Sequence, residues 1–440
     1  MKGDSIMKKI LALLLSLILL ASMVPTAMAE ETTLQLWDVI VRDPHPAARD
    51  KVIAAFEAAH PGVKVEVTTI TGDVEEKVLT ASAAGTLPDV MFTWSASSLV
   101  TWGQMGIVEP IDFILDEYGA DYFLSSKQLA SYQFADQLWG VPIVTFPIAF
   151  WYRADWFKDA GLEVPTTWDQ WYDAAVKLTK DVNGDGTIDQ YGSVLGIAEG
   201  WPFDDIRASN ADYWYAADGS CTIGDKTIET LEFLRKLFYD TCYPGSVSYM
   251  NEGQRAGFLS GLGGTMVTSI SFLNNVLEEV GIEAITSGQI SVAPIPQNAS
   301  AEEGAGASAS THAIGVFVGD QTDLAKEFVR FWLAEENLSL YFSNNVPGHL
   351  PPYASVWENE DFKAARAEVW DIYMAGRNTL ATTAWDEPTV SWVSQFSTSG
   401  GASKDVMAYV CVENLSSEEI VEKLQEIAEE AIEEMEDYAE

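Results

Sequence analysis

Between residues 33 and 92 the hydrophobic pattern switches period repeatedly, and this alternation restricts the fold more than any other feature of the chain. Residues 33–37 set Leu34 and Leu36 among polar neighbours, the period-two pattern of a strand. Residues 47–59 place Val52, Phe56 and Ala59 on one helical face, and His60-Pro61-Gly62 stops the helix. Val63, Val65 and Val67 then alternate with Lys64, Glu66 and Thr68, a second strand. Residues 74–84 predict a helix ending at Gly85, and Val90-Met91-Phe92 a buried third strand. Strand-helix-strand-helix-strand predicts an α/β fold with a mostly parallel sheet. Ligands of such sheets sit beyond the carboxyl ends of the strands. Two of those ends pair an indole with polar groups: Trp37 with Asp38, and Trp94 with Thr93 and Ser95. These residues are read as walls of a ligand cleft.

The N-terminus has a different character. Lys8 and Lys9 precede an apolar run that reaches Val24, and Ala27-Met28-Ala29 fits a small-x-small cleavage site. Residues 1–29 read as a signal peptide, too short for a membrane span, with no cysteine for a lipid anchor. The expectation is an exported protein, periplasmic or extracellular, with no membrane span after cleavage. A net charge of −41 repels nucleic acid, anionic membranes and polyanionic substrates. Cys221, Cys242 and Cys411 are too few for a disulfide scaffold. A Cys221–Cys242 bridge and three free thiols both stay open.

Farther on, residues 140–152 (GVPIVTFPIAFWY) are extended and apolar but broken by Pro142 and Pro147. Proline interrupts ladder donation, so the segment is awkward as a central strand and suits a passage between two lobes. Thr167-x-x-Gln170 and Ser416-x-x-Glu419 are capping boxes for helices over 168–180 and 416–440. Further helices are predicted over 226–239 and 323–335, and strands over 193–197, 264–269, 290–295 and 312–318. Residues 302–310 are rich in Gly, Ala and Ser, and residues 345–352 hold three prolines and a glycine.

Asp181, Asn183, Asp185, Thr187 and Asp189 form the sharpest local motif. Alternating oxygen side chains around Gly186 can converge on a structural calcium ion. The twelfth position is Gly192 rather than the bidentate Glu of an EF-hand loop, and a self-bonded Asp/Asn/Gly turn is the other reading. No further cofactor is expected, and no catalytic motif emerges. His45, His60, His312 and His349 show no close pairing, and HExxH, GxSxG and GxxxxGK[ST] are absent. With 66 acidic residues, a secreted glycoside hydrolase using two carboxylates stays open as the alternative.

The segments HPGVKVEV, AAGTLPDVMF, GQMGIVEPID, WGVPI, FWYRADWFKDAGLEVPTTWDQW, FLSGLGGTMVTSI and NNVPGHLPPY occur in that order. Together they resemble the family 1 extracellular solute-binding proteins of ABC transporters, the maltose-binding-like group. The resemblance implies a two-lobe periplasmic-binding-protein fold of type II, with three chain crossings and a ligand cleft between lobes. It implies a non-enzymatic monomer that captures a sugar or oligosaccharide and delivers it to permease subunits, with a polyol or peptide as the alternative ligand. Lobe 1 would comprise residues 30–145 plus about 308–345, and lobe 2 residues 146–307 plus about 346–440. The implied ligand contacts are Phe146, Trp201, Ser269, Ser271, Phe272, His349, Trp385 and Trp392. Sugar rings present apolar C–H faces that aromatic side chains cover, while polar groups read the hydroxyls.

Overall fold

The computed structural model describes residues 32–42, 44–94, 96–125, 127–214, 216, 220–301, 305–345, 347–381 and 401–439. The expected signal peptide, Ser95, Trp385 and Trp392 lie outside the described residues.

The opening alternation folds as the pattern predicts: β1 (Thr32–Asp38), α1 (His45–Ala59), β2 (Val63–Thr69), α2 (Val74–Ala84) and β3 (Val90–Thr93). β1 lies between β2 and β3 and runs parallel to both. Leu34 and Leu36 are fully buried, as is every residue of β3. Asp73 caps α2 by accepting from Glu76 N at 2.9 Å, and Gly85 ends it in the left-handed region at φ 67°.

β4 (Val108–Glu109), β5 (Val141–Arg153), β6 (Tyr191–Ser193), β7 (Gly263–Ser269), β8 (Ile290–Ala293) and β9 (Ala309–Phe317) complete a nine-stranded sheet. Its order is β2-β1-β3-β9-β5-β7-β6, with β4 on β9 and β8 on β5. Helices α3 (Trp168–Leu178), α4 (Trp201–Ala208), α5 (Asp225–Thr241), α6 (Asn251–Leu259), α7 (Thr322–Leu333), α8 (Glu335–Asn344) and α9 (Ser417–Ala439) cover it. One core gathers Phe56 of α1, Phe92 of β3 and Trp332 of α7, and reaches across the sheet to Trp151 and Phe272. The second gathers Trp171 of α3, Leu231 of α5 and Leu424 of α9.

The proline-broken segment is the central strand after all. β5 is thirteen residues long and buried from end to end except at Arg153. Its first half pairs antiparallel with β9, and its second half, from Ile148, pairs with β7. The two prolines sit where the ladder tolerates them. Pro142 falls at a register shift against β9, and Pro147 is the last residue on that ladder before the partner changes. β5 therefore carries the sheet from one half of the molecule to the other.

The three implied crossings lie side by side. Thr145 of β5 pairs with Thr311 of β9. On its other edge Thr145 N donates to Leu350 O at 3.0 Å, and Leu350 N donates back at 3.1 Å. The first crossing, β9 and the third crossing each contribute one ring to a common contact. Phe146 lies 4.7 Å from His312 and 4.8 Å from His349, centroid to centroid, and the two imidazoles are 6.0 Å apart. Beyond the third crossing the chain stays near α8 for a time: the Phe362 ring lies 6.4 Å from that of Phe342. The cysteines are all free thiols. Among the described residues no helix is long and apolar enough to cross a membrane.

Candidate functional site

A pocket opens where β5 passes from β9 to β7. Its floor is Ile148 of β5 and Ser310 of β9. One wall is the end of β7, Val267, Thr268 and Ser269, with Asn251 and Gln254 from α6. The other wall is Gly196, Glu199 and the start of α4, which supplies Trp201, Pro202 and Asp205.

Local sequence explains why these side chains meet. Pro202 sits at the first turn of α4, where a missing N–H costs nothing. The preceding Gly200 lets that turn approach Ser403, whose Cβ would lie 2.7 Å from an added Cβ. The walls are then tied together. Gln254 accepts from Gly196 N through Oε1 and donates through Nε2 to Val267 O at 2.8 Å. Asn251 N donates to Glu199 Oε2 at 2.9 Å, and Thr268 Oγ1 donates to Asn251 Oδ1 at 3.3 Å. Both amide residues thus serve as fixed struts, which preorganises the polar groups around the cavity.

Asp205 is 2 % exposed and accepts from Ser308 Oγ at 2.6 Å, so it links α4 to the second crossing. Burial pushes its carboxyl up to about 8, against the lowering effect of Ser308 and with a raising contribution from Asp204. The group is therefore protonated at neutral pH and can donate as well as accept.

Of the residues singled out from sequence, Trp201 and Ser269 line this pocket. Ser271 stands just behind, its Oγ bonded to Ser269 Oγ and accepting from Arg255 Nη2 at 3.4 Å. The others are placed elsewhere. Asp38 is fully buried and consumed by its own side of the fold: His45 Nε2 lies 2.9 Å and Arg49 Nη1 2.6 Å from Oδ2. Burial alone would raise this carboxyl, but His45, the Ile40 N–H and Arg49 outweigh it and hold it below the ordinary range. Thr93 is buried where β3 pairs with β9. Phe272 packs edge-on against Trp151 and Phe258 and is fully buried. Trp37 is half-buried against the first core, whereas Trp94 is 47 % exposed. Phe146 and His349 belong to the ring contact between crossings rather than to the pocket lining. Sequence reasoning missed Glu199, Asp205, Asn251, Gln254, Thr268 and Ser310. Asp205 shares the WPFDD segment with Trp201 and was the one that could have been found.

Far apart in sequence, the histidines nevertheless come together. His312 and His349 touch through Phe146, and His45 is close enough to influence both electrostatically. Burial, then the neighbouring imidazole of His45, pulls His312 down to about 3. Burial, then His312, drives His349 well below its ordinary value. Both are neutral at physiological pH.

The Asp181–Asp189 motif closes on itself. Asp181 accepts from Gly184 N at 2.6 Å, Asp185 N at 3.3 Å and Gly186 N at 2.7 Å. Asn183 accepts from Asp185 N, Asp185 from Thr187 N, and Asp189 from Val182 N. Among the described residues no three His, Cys, Asp or Glu are grouped to hold a metal ion. Gly192, at the twelfth position, explains the missing ligand: an added Cβ would lie 1.9 Å from Ala175 O of α3. The residues present do not fit an EF-hand-type calcium site.

Residues 43–338 match the model of a family described as bacterial extracellular solute-binding protein. The chain is 25 % identical over 342 residues to the putative ABC transporter periplasmic-binding protein YcjN of Escherichia coli, spanning 75 % of this chain and 76 % of that one. Its backbone superposes on the GacH receptor of Streptomyces glaucescens with a TM-score of 0.74 at 18 % identity, over 92 % of this chain and 99 % of that one. The sugar-binding protein MalE of Xanthomonas citri gives a TM-score of 0.74 at 18 % identity, over 93 % and 100 %.

Proposed function

Because the chain belongs to the bacterial extracellular solute-binding proteins, we propose that it captures a sugar or oligosaccharide between its lobes and delivers it to an ABC permease. The observation that carries the ligand class is the pocket beside the crossings. It sets one indole, Trp201, among hydroxyls, amides and carboxyls, the mixture that covers a sugar's apolar face while bonding its hydroxyls. The GacH receptor, with the same fold, is described in complex with acarbose. Exposed Trp94 is available to meet the ligand from the opposite lobe on closure.

The protein acts by binding rather than by turnover, outside the cytoplasmic membrane, with permease subunits as its partners. A ligand touching both lobes favours the closed form by its differential affinity for that form. The lobes exchange chain at three crossings near residues 145–147, 304–310 and 344–350.

A thermal-shift screen against neutral mono-, di- and oligosaccharides and polyols tests this reading. At least one saccharide is expected to stabilise the protein without being consumed, and Trp201→Ala to weaken its binding about tenfold. Silence across the saccharides, or hydrolysis of one, would overturn it.

A further inference from the structure

Resting on the sugar-capture reading, we propose that the pocket selects by charge. It takes an uncharged saccharide and turns away uronic, sulfated and phosphorylated ones, with Glu199 setting that choice.

The charge rule follows from what faces the cavity. Among the described residues that line it there is no Lys, Arg or His, and two carry carboxyl groups. The nearby cations are committed behind the wall. Arg207 Nε donates to Asp204 at 3.0 Å, Nη1 donates to Asp212 O at 2.7 Å, and the guanidinium lies 4.1 Å from the Trp214 ring centroid. Arg255 does not line the cavity: it is paired with Glu252 at 3.1 Å, and its Nη2 donates to Thr268 Oγ1 at 3.5 Å and to Ser271 Oγ at 3.4 Å. An anionic group entering the pocket therefore loses its hydration and meets the Glu199 carboxyl with no lining cation to pair with. A hydroxyl-rich neutral ring meets the reverse. The Asp205 carboxyl, protonated through its burial, donates to one hydroxyl, and Glu199 accepts from another.

Isothermal calorimetry on the full exported chain, with neutral sugars beside their charged counterparts, tests the rule. Suitable pairs are glucose and glucuronate, trehalose and trehalose 6-phosphate, and sucrose and sucrose 6-phosphate, extended to whichever neutral saccharide stabilises the protein. The neutral member is expected to bind at least tenfold more tightly. The Glu199→Gln variant is expected to narrow that ratio, and Glu199→Ala serves if it does not fold. A charged member binding as tightly as its neutral partner, or a ratio unmoved in the variants, overturns the charge rule and leaves sugar capture standing. Silence with every neutral and charged saccharide instead overturns sugar capture, and the charge rule with it.

Discussion

Single residues decide which polar groups face the ligand. Asp38 follows a strand and an indole, which makes it look like a cleft residue, yet Arg49 and His45 claim it from the next helix. Asp205 lies within a short helix and nonetheless reaches the pocket. The same scale sets the acid response of the protein. His312 is held near 3 against an ordinary 6.5, with burial as the largest cause, His45 next, and Asp38 opposing. His349 faces it, and Arg42 and Arg366 add positive charge near that second ring. Between these two values the His312 ring binds more protons in the unfolded chain than in the native protein, so its contribution to stability rises with pH and is lost on acidification, while Asp205, raised to about 8, contributes in the opposite direction. From about pH 7 down to about pH 4 the melting temperature of His312→Gln is expected to gain relative to that of the wild type, because the variant lacks this imidazole's acid-labile contribution. An unchanged slope in that variant would mean that His312 does not titrate as its burial demands.

At the scale of elements, close approach of backbones is the deciding factor around Gly192. This glycine opens the path for α3 to lie on the sheet, and no side chain fits against Ala175 O. Gly192→Ala is expected to cost about 1–3 kcal/mol in urea unfolding, through forced separation of α3 from β6. In the same experiments EDTA is expected to leave the wild-type transition in place, because the preceding loop is closed by its own N–H bonds. A chelator-induced loss of stability would restore calcium to that loop. The strands and helices between residues 32 and 93 were legible from sequence because each follows a short-range period. Ser416 and Glu419 were legible too: Ser416 N donates to Glu419 at 2.9 Å and Glu419 N donates back to Ser416 at 3.3 Å. The pocket was not. Glu199, Asn251 and Thr268 come from separate segments, and their meeting depends on strand order, which no local period encodes. β5 was misjudged because its prolines look disruptive until the change of ladder partner at Pro147 is known.

For the whole molecule, the arrangement of three crossings beside the pocket implies that ligand and lobe geometry are coupled. Asp205 bonds Ser308 on the second crossing, and Ser310 two residues later lines the cavity. An exposed ion pair, Arg42 with Glu278 at 3.2 Å, joins the loop after β1 to the segment after β7. Pairs of this kind contribute about 0–1 kcal/mol, so ligand contacts rather than this pair must favour closure. Small-angle scattering is expected to show a smaller radius of gyration when a saturating saccharide is added, and an unchanged radius would count against closure. The joint itself is stitched through main-chain atoms, Thr145 to Leu350 and to β9. Amides are common to all residues, so drift in side-chain identity leaves such a pivot intact. An architecture with this axle can wander to 18 % identity and keep its shape, while the few groups facing the solute are left free to change what is carried.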